Sequence, residues 1–311
     1  LYGCLPKSQA RNAFKARVIS RGERRKAQYP RQSLEGGPRA AHVAERTQRA
    51  LWHSWGNMLG AGLKPHLVNG GWIERDGERV RLLVPPTSAS AYTDAQLDDY
   101  DHALPRRFAN HPPQRLKLWA RFSHPAGVLK GTAGFGFWNH PFTRQGAVLE
   151  PPRNVWFFYS SPESRAPVGS PLPGHGFYAA VVNSPLPTTA GGGALTKGLI
   201  RLGNLALQLP GISALALAIG QALVQARAAP LALDMTAWHC YELEWLPTTT
   251  RFCVDGQEVM RTRSPAGPLG FVAWIDNYRV IARRGGGYAF GFVETSQVQW
   301  LELRLEEGLA S

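Results

Sequence analysis

Acid–base chemistry by side chains needs carboxylates, or a carboxylate beside a donor, held on one face of a rigid element. The 311-residue chain has 22 Asp and Glu, and they are unevenly spread. Between residues 102 and 233 the only ones are Glu150 and Glu163, each beside a proline in an expected loop. Glu74, Asp76 and Glu78 alternate, which on a strand would align three carboxylates on one face. Asp76-Gly77, however, is a preferred tight-hairpin turn, so these residues are expected to flank a loop tip. A second acidic group, Asp94, Asp98, Asp99 and Asp101, falls in a turn-rich stretch expected over 87–113. Cys4, Cys240 and Cys253 are all more than five residues apart, which is not metal-ligand spacing. No oxygen-ligand cluster is dense enough to suggest Ca²⁺, and no cofactor is expected.

The elements that would position such groups read as short strands. Residues 71–84 form a hairpin around Asp76-Gly77, and Pro85-Pro86 stops it. From Gln114 to Phe122 the pattern alternates: Leu116, Leu118, Ala120 and Phe122 on one face, Arg115, Lys117, Trp119 and Arg121 on the other. Further strands are expected at 131–138, 154–160 and 176–182, and again from 239 onward. Many short strands without intervening regular helices imply an all-β sandwich over 65–311.

Composition and charge narrow the class. With 44% hydrophobic residues and 3 Cys, the chain is neither a disulfide scaffold nor wholly disordered. The net charge of +13 suggests nucleic acid until it is mapped. Residues 1–50 carry 12 Lys and Arg against 3 Asp and Glu; residues 51–311 carry 23 against 19. Residues 1–64 are therefore expected to be a basic, disordered tail with a short helix about Trp52 and Trp55. A nucleic-acid partner is not expected. No basic segment followed by an apolar stretch marks a secretory signal, and Cys240 and Cys253 read as reduced thiols, so a cytoplasmic location is expected.

Residues 191–229 break the strand pattern. Leu195, Leu199, Leu202, Leu205 and Leu209 recur at helical steps, Pro210-Gly211 interrupts, and a second apolar run follows over 212–224. No charged residue occurs from Leu202 to Ala226. The segment is expected to be a helical insertion: a cap, an apolar lid, or a surface for peripheral membrane contact or self-association through 195–226.

The most informative stretch is Trp238-His239-Cys240-Tyr241-Glu242-Leu243-Glu244-Trp245, followed by Thr250-Arg251-Phe252-Cys253-Val254-Asp255-Gly256. It reads as a hairpin with Tyr241, Leu243 and Trp245 on one face, closed by a second Asp-Gly turn. This pattern resembles that of family 16 glycoside hydrolases and their relatives with the concanavalin-like jelly-roll fold, over roughly 70–305. The resemblance implies a carbohydrate ligand and a retaining pair of carboxylates on one strand. The strand best matching that position, Asn154 to Ser160, has none. It further implies a ligand face made by Trp119, Arg121, Trp138, Asn139, His140, Trp156, Tyr159, Trp274, Asp276 and Asn277. There, Asp276 would be the lone acid/base candidate. Three readings stay open. They are carbohydrate binding without hydrolysis, an enzyme acting on a hydrophobic small molecule under the helical lid, and a glycosidase with relocated carboxylates among Glu150, Glu163 and Asp276.

Overall fold

The computed structural model describes residues 62–100, 107–141, 149–165, 174–187, 193–206, 225–282 and 288–305. Residues 1–61 of the expected tail, 1–64, and the second apolar run, 212–224, lie outside the described residues, and Lys64 already begins a strand.

Numbered in chain order, the strands build two seven-stranded antiparallel sheets. Sheet 1 runs β1 (Lys64–Val68), β4 (Asp94–Asp98), β13 (Gly270–Asp276), β6 (Thr132–Trp138), β7 (Arg153–Ser160), β8 (Gly176–Asn183) and β9 (Gln225–Pro230). Sheet 2 runs β12 (Gln257–Arg263), β11 (Thr249–Val254), β10 (His239–Trp245), β5 (Gln114–Phe122), β16 (Gln299–Leu305), β3 (Arg79–Val84) and β2 (Trp72–Asp76). A separate hairpin, β14 (Tyr278–Ala282) and β15 (Tyr288–Phe292), follows β13 directly. The helix α1 (Gly193–Ala206) connects β8 to β9.

Alternation explains the packing. Phe135 and Phe137 of β6, Val155, Phe157 and Tyr159 of β7, and Phe271, Ala273 and Ile275 of β13 point inward from sheet 1. They meet Leu118, Ala120 and Phe122 of β5 and Tyr241, Leu243 and Trp245 of β10. Tyr241 is wedged edge-on between Phe135 and Phe157, with centroids 5.1 and 5.0 Å away. This is a jelly-roll β-sandwich: the strand pattern implied a sandwich, and the resemblance carried by the 238–256 hairpin implied the jelly roll.

The hairpin β10–β11 forms as the sequence suggested: Leu243 faces Phe252 and Glu242 faces Cys253, and both Cys240 and Cys253 are free thiols. Its neighbouring turn takes Asp255 and Gly256 into the left-handed region, at φ 51° and 76°. Asp255 Oδ1 accepts the Cys240 amide at 2.8 Å, and Oδ2 lies 2.6 Å from His239 Nδ1. Replacing Asp255 with Ala removes both bonds. Urea unfolding should show a loss of about 1–2 kcal/mol; an unchanged midpoint would contradict this role.

Two segments differ from their sequence reading. The acidic stretch at 94–98 is strand β4, not a turn, with Ala95 and Leu97 in the core. Residues 225–230 are strand β9 rather than the end of a helical insertion, because they pair with β8 from Asn183 to Tyr178.

Candidate functional site

Every strand of sheet 1 also has an outward face, and the register sets its residues in rows. One row carries Asp98, Val272, Gly136, Trp156 and Ala180; the next carries Gln96, Trp274, Gly134, Phe158 and Tyr178. A third carries Asp94, Asp276, Thr132 and Ser160. Trp138, Trp156, Trp274, Phe158 and Tyr178 thereby form a second apolar cluster, separate from the core and joined by Tyr100. Trp156 and Trp274 lie 5.2 Å apart, and Trp138 lies parallel to Trp274 at 6.4 Å. The glycines in the middle rows make room: a Cβ on Gly134 would come within 2.9 Å of the Trp274 ring.

A polar chain edges this cluster. Gln96 Nε2 donates to Asp98 Oδ2 at 2.7 Å and to the Tyr100 hydroxyl at 3.3 Å. The same hydroxyl accepts from Trp138 Nε1 at 2.8 Å and lies 3.3 Å from His140 Nδ1. His140 sits at φ 42° and stacks on Trp138, centroids 4.4 Å apart. It is a half-buried member of the cluster.

At the other end stands Asp276, buried on β13. Its Oδ1 accepts from the Thr132 amide at 3.1 Å, the Thr132 hydroxyl at 2.7 Å and the Tyr278 amide at 3.0 Å. Its Oδ2 accepts from the Tyr92 hydroxyl at 3.3 Å. The Thr132 hydroxyl in turn accepts Trp274 Nε1 at 3.0 Å, which ties the carboxylate to the aromatic cluster. Burial pushes Asp276 up to about 6, against the pull of these donors. Asp94 faces it directly across β4–β13. Cβ atoms of such pairs are about 4.5–5.5 Å apart. Asp99, just past β4, is likewise pushed up to about 6 by burial, although Asn110 and the Phe271 amide both donate to it.

Among the described residues, Trp156 Nε1 is a buried indole donor with no acceptor. A buried N–H left unmade costs about 1–3 kcal/mol.

The structure thus gathers Trp138, His140, Trp156, Trp274 and Asp276 on one face and sends the other sequence candidates elsewhere. Trp119 and Arg121 lie on the outer face of sheet 2, where Arg121 pairs with Glu302 at 2.7 Å and stacks over Trp238 and Trp300. Tyr159 points into the core and donates to the Leu129 carbonyl at 2.8 Å. Asn139 and Asn277 are buried backbone clamps: Asn139 bridges the Arg153 amide and the Pro151 carbonyl. Asn277 accepts from the Thr93 amide and donates to the carbonyls of Ala91 and Val293. The sequence reading placed Asp94 and Asp98 in a turn-rich stretch and missed Gln96 and Tyr100. Their signal was the alternation D-x-Q-x-D at 94–98.

Strand order and register define a jelly-roll sandwich, and sheet 1 carries this aromatic outer face. No family model matches the chain, and no curated protein matches it. Among solved structures it is similar to a GlcNAcα1-4Gal-releasing endo-β-galactosidase from Clostridium perfringens, at 8% identity and TM-score 0.38 over 76% of this chain and 53% of that one. It therefore spans about half the length of that enzyme. It is also similar to a prokaryotic β-1,3-1,4-glucanase (lichenase) derived from a mouse hindgut metagenome, at 11% identity and TM-score 0.40 over 78% and 92% of the two chains. A glycosyl hydrolase family 16 protein from Mycobacterium smegmatis matches at 11% identity and TM-score 0.37 over 75% and 78%. The fold itself is assigned here from the sheet order and register.

Proposed function

We propose that the outer face of sheet 1 binds carbohydrate, without the retaining hydrolysis of family 16 enzymes. The observation that carries this reading is the cluster of three Trp side chains bordered by a polar chain and containing the Trp156 N–H without an acceptor. Aromatic rings beside directed polar atoms suit a ligand with apolar faces and hydroxyl edges. Trp138, His140 and Phe158, the half-buried members, are the surfaces a sugar meets first. Binding is favoured over hydrolysis because the outward positions of β7 are Asn154, Trp156, Phe158 and Ser160, none of them a carboxylate.

Titrating the full chain with β-glucan and galactan oligosaccharides tests this, with Trp fluorescence and reducing ends read from the same tubes. Quenching without new reducing ends is expected. Trp138→Ala should weaken binding by roughly tenfold or more, and Trp156→Phe, which removes only the N–H and some ring area, by a smaller factor. No response to any oligosaccharide, or equal affinity in both variants, would overturn the proposal.

The Asp94–Asp276 pairing favours a second reading, a glycosidase with relocated carboxylates. Retaining chemistry uses carboxyl groups about 5–5.5 Å apart, one kept protonated. Steady release of reducing ends, abolished by Asp276→Asn, would select it.

A further inference from the structure

The helix α1 is a 14-residue element with a single buried residue, Thr196. Leu195, Leu199, Leu202 and Leu205 recur along one side and are 74%, 46%, 65% and 54% exposed. Lys197, Arg201 and Asn204 recur on the opposite side. Gly198 and Gly203 interrupt its interior, and a Cβ at either would meet nothing within 4 Å, so neither serves close packing. Each glycine costs about 1 kcal/mol relative to alanine, and helices of this length are marginal alone in water. Such a helix needs a surface on which to lay its leucines.

Charge identifies the surface. From residue 164 to residue 233 the chain has no Asp or Glu, while Arg165, Lys197, Arg201 and Arg227 are cationic. A second copy of this segment would bring cations against cations, whereas a sheet of lipid phosphates complements them. No helix among the described residues is long and apolar enough to cross a membrane, so the contact lies in the plane of the interface.

We propose that α1 is an interfacial helix that docks the protein on an anionic lipid surface. The leucine stripe enters the acyl boundary, and Lys197 and Arg201 reach the phosphate level. The proposal is independent of the sugar-binding reading.

Co-sedimentation of the full chain with vesicles of phosphatidylcholine containing about one third phosphatidylglycerol tests it, at about 0.15 M and about 0.5 M NaCl. High salt screens adsorption by the basic residues 1–50 and leaves apolar insertion. Wild type is expected to stay bound at high salt. Leu199→Asp with Leu202→Asp should lower partitioning by roughly tenfold or more without changing the thermal midpoint, since both side chains are exposed. Lys197→Ala with Arg201→Ala should weaken binding at the lower salt by roughly fivefold per charge. Equal partitioning of wild type and the leucine variant would overturn the proposal, as would absence of binding at both salts. Light scattering that shows a dimer broken by the leucine variant, with no vesicle binding, would replace the lipid with a second copy.

Discussion

Raising the pH from about 4.5 to about 7.5 is expected to destabilise the folded protein, with Asp276 and Asp99 the principal cause. Burial lifts each carboxyl from the ordinary 3.8 to about 6, so the folded state holds these protons more tightly than the unfolded chain does. The stability they add is complete below 3.8 and is lost as pH rises through about 6, on the order of 3 kcal/mol for each group at most. Other carboxylates act in a different window. Glu244, held low by the hydrogen bond from Arg251, and Asp234, held low by Thr236, contribute above their ordinary values. Their contribution disappears only on further acidification, below the range considered. Asp276→Asn keeps an acceptor for the Thr132 and Tyr278 donors and removes the titration. It should raise stability at pH about 7.5 and flatten a large part of the slope. Urea unfolding followed by Trp fluorescence across the range reads this directly. Wild-type stability that is flat or rises over the window would refute the assignment.

The other large effect is expected at Gly136, in the middle of β6. Its φ is 151°, a region L side chains rarely adopt. An added Cβ would lie 2.4 Å from the Val155 carbonyl oxygen and 2.5 Å from the Trp156 Cα. Both obstacles are backbone of β7, and they cannot retreat without breaking the β6–β7 ladder. Gly136→Ala should cost on the order of 3 kcal/mol or more, combining backbone strain with overpacking. It should also displace Trp156 and so weaken any ligand the aromatic face holds. Gly256→Ala is the control: it too has positive φ, but the space around it is open, and it should cost only about 1 kcal/mol. Equal midpoints for the two variants in urea would show that the close approach at Gly136 is relieved elsewhere.

The sandwich was legible because its strands alternate cleanly. Leu116 to Phe122 and Tyr241 to Trp245 announce an inward face, and the Asp-Gly turns announce hairpins. Strand β4 was hidden because Asp is a poor strand former, and Asp94, Gln96 and Asp98 look like loop. Their burial comes from tertiary neighbours, which local pattern does not report. The candidate site was half legible for a geometric reason. Period-two alternation separates the two faces of a strand but does not say to which sheet the strand belongs. In a sandwich the two outward faces look in opposite directions, so Trp119 and Arg121 on β5 could not be told from Trp156 on β7. Tyr159 was a parity matter: three residues after Trp156 on a strand, it must face the other way.

That opposite outward face has a consequence for how the molecule moves before it touches anything. Glu74, Arg81, Glu302 and Arg121 alternate in sign across four adjacent strands of sheet 2, in ion pairs of 3.5, 3.1 and 2.7 Å. Opposite charges interleaved this finely cancel within a Debye length, so the field they send into solvent is weak. The stretch from 164 to 233 has four Lys and Arg and no Asp or Glu of its own. Apart from the larger charge on residues 1–50, an anionic target at a distance therefore exerts a torque on the sandwich as well as an attraction, favouring an approach by the β8–α1–β9 edge.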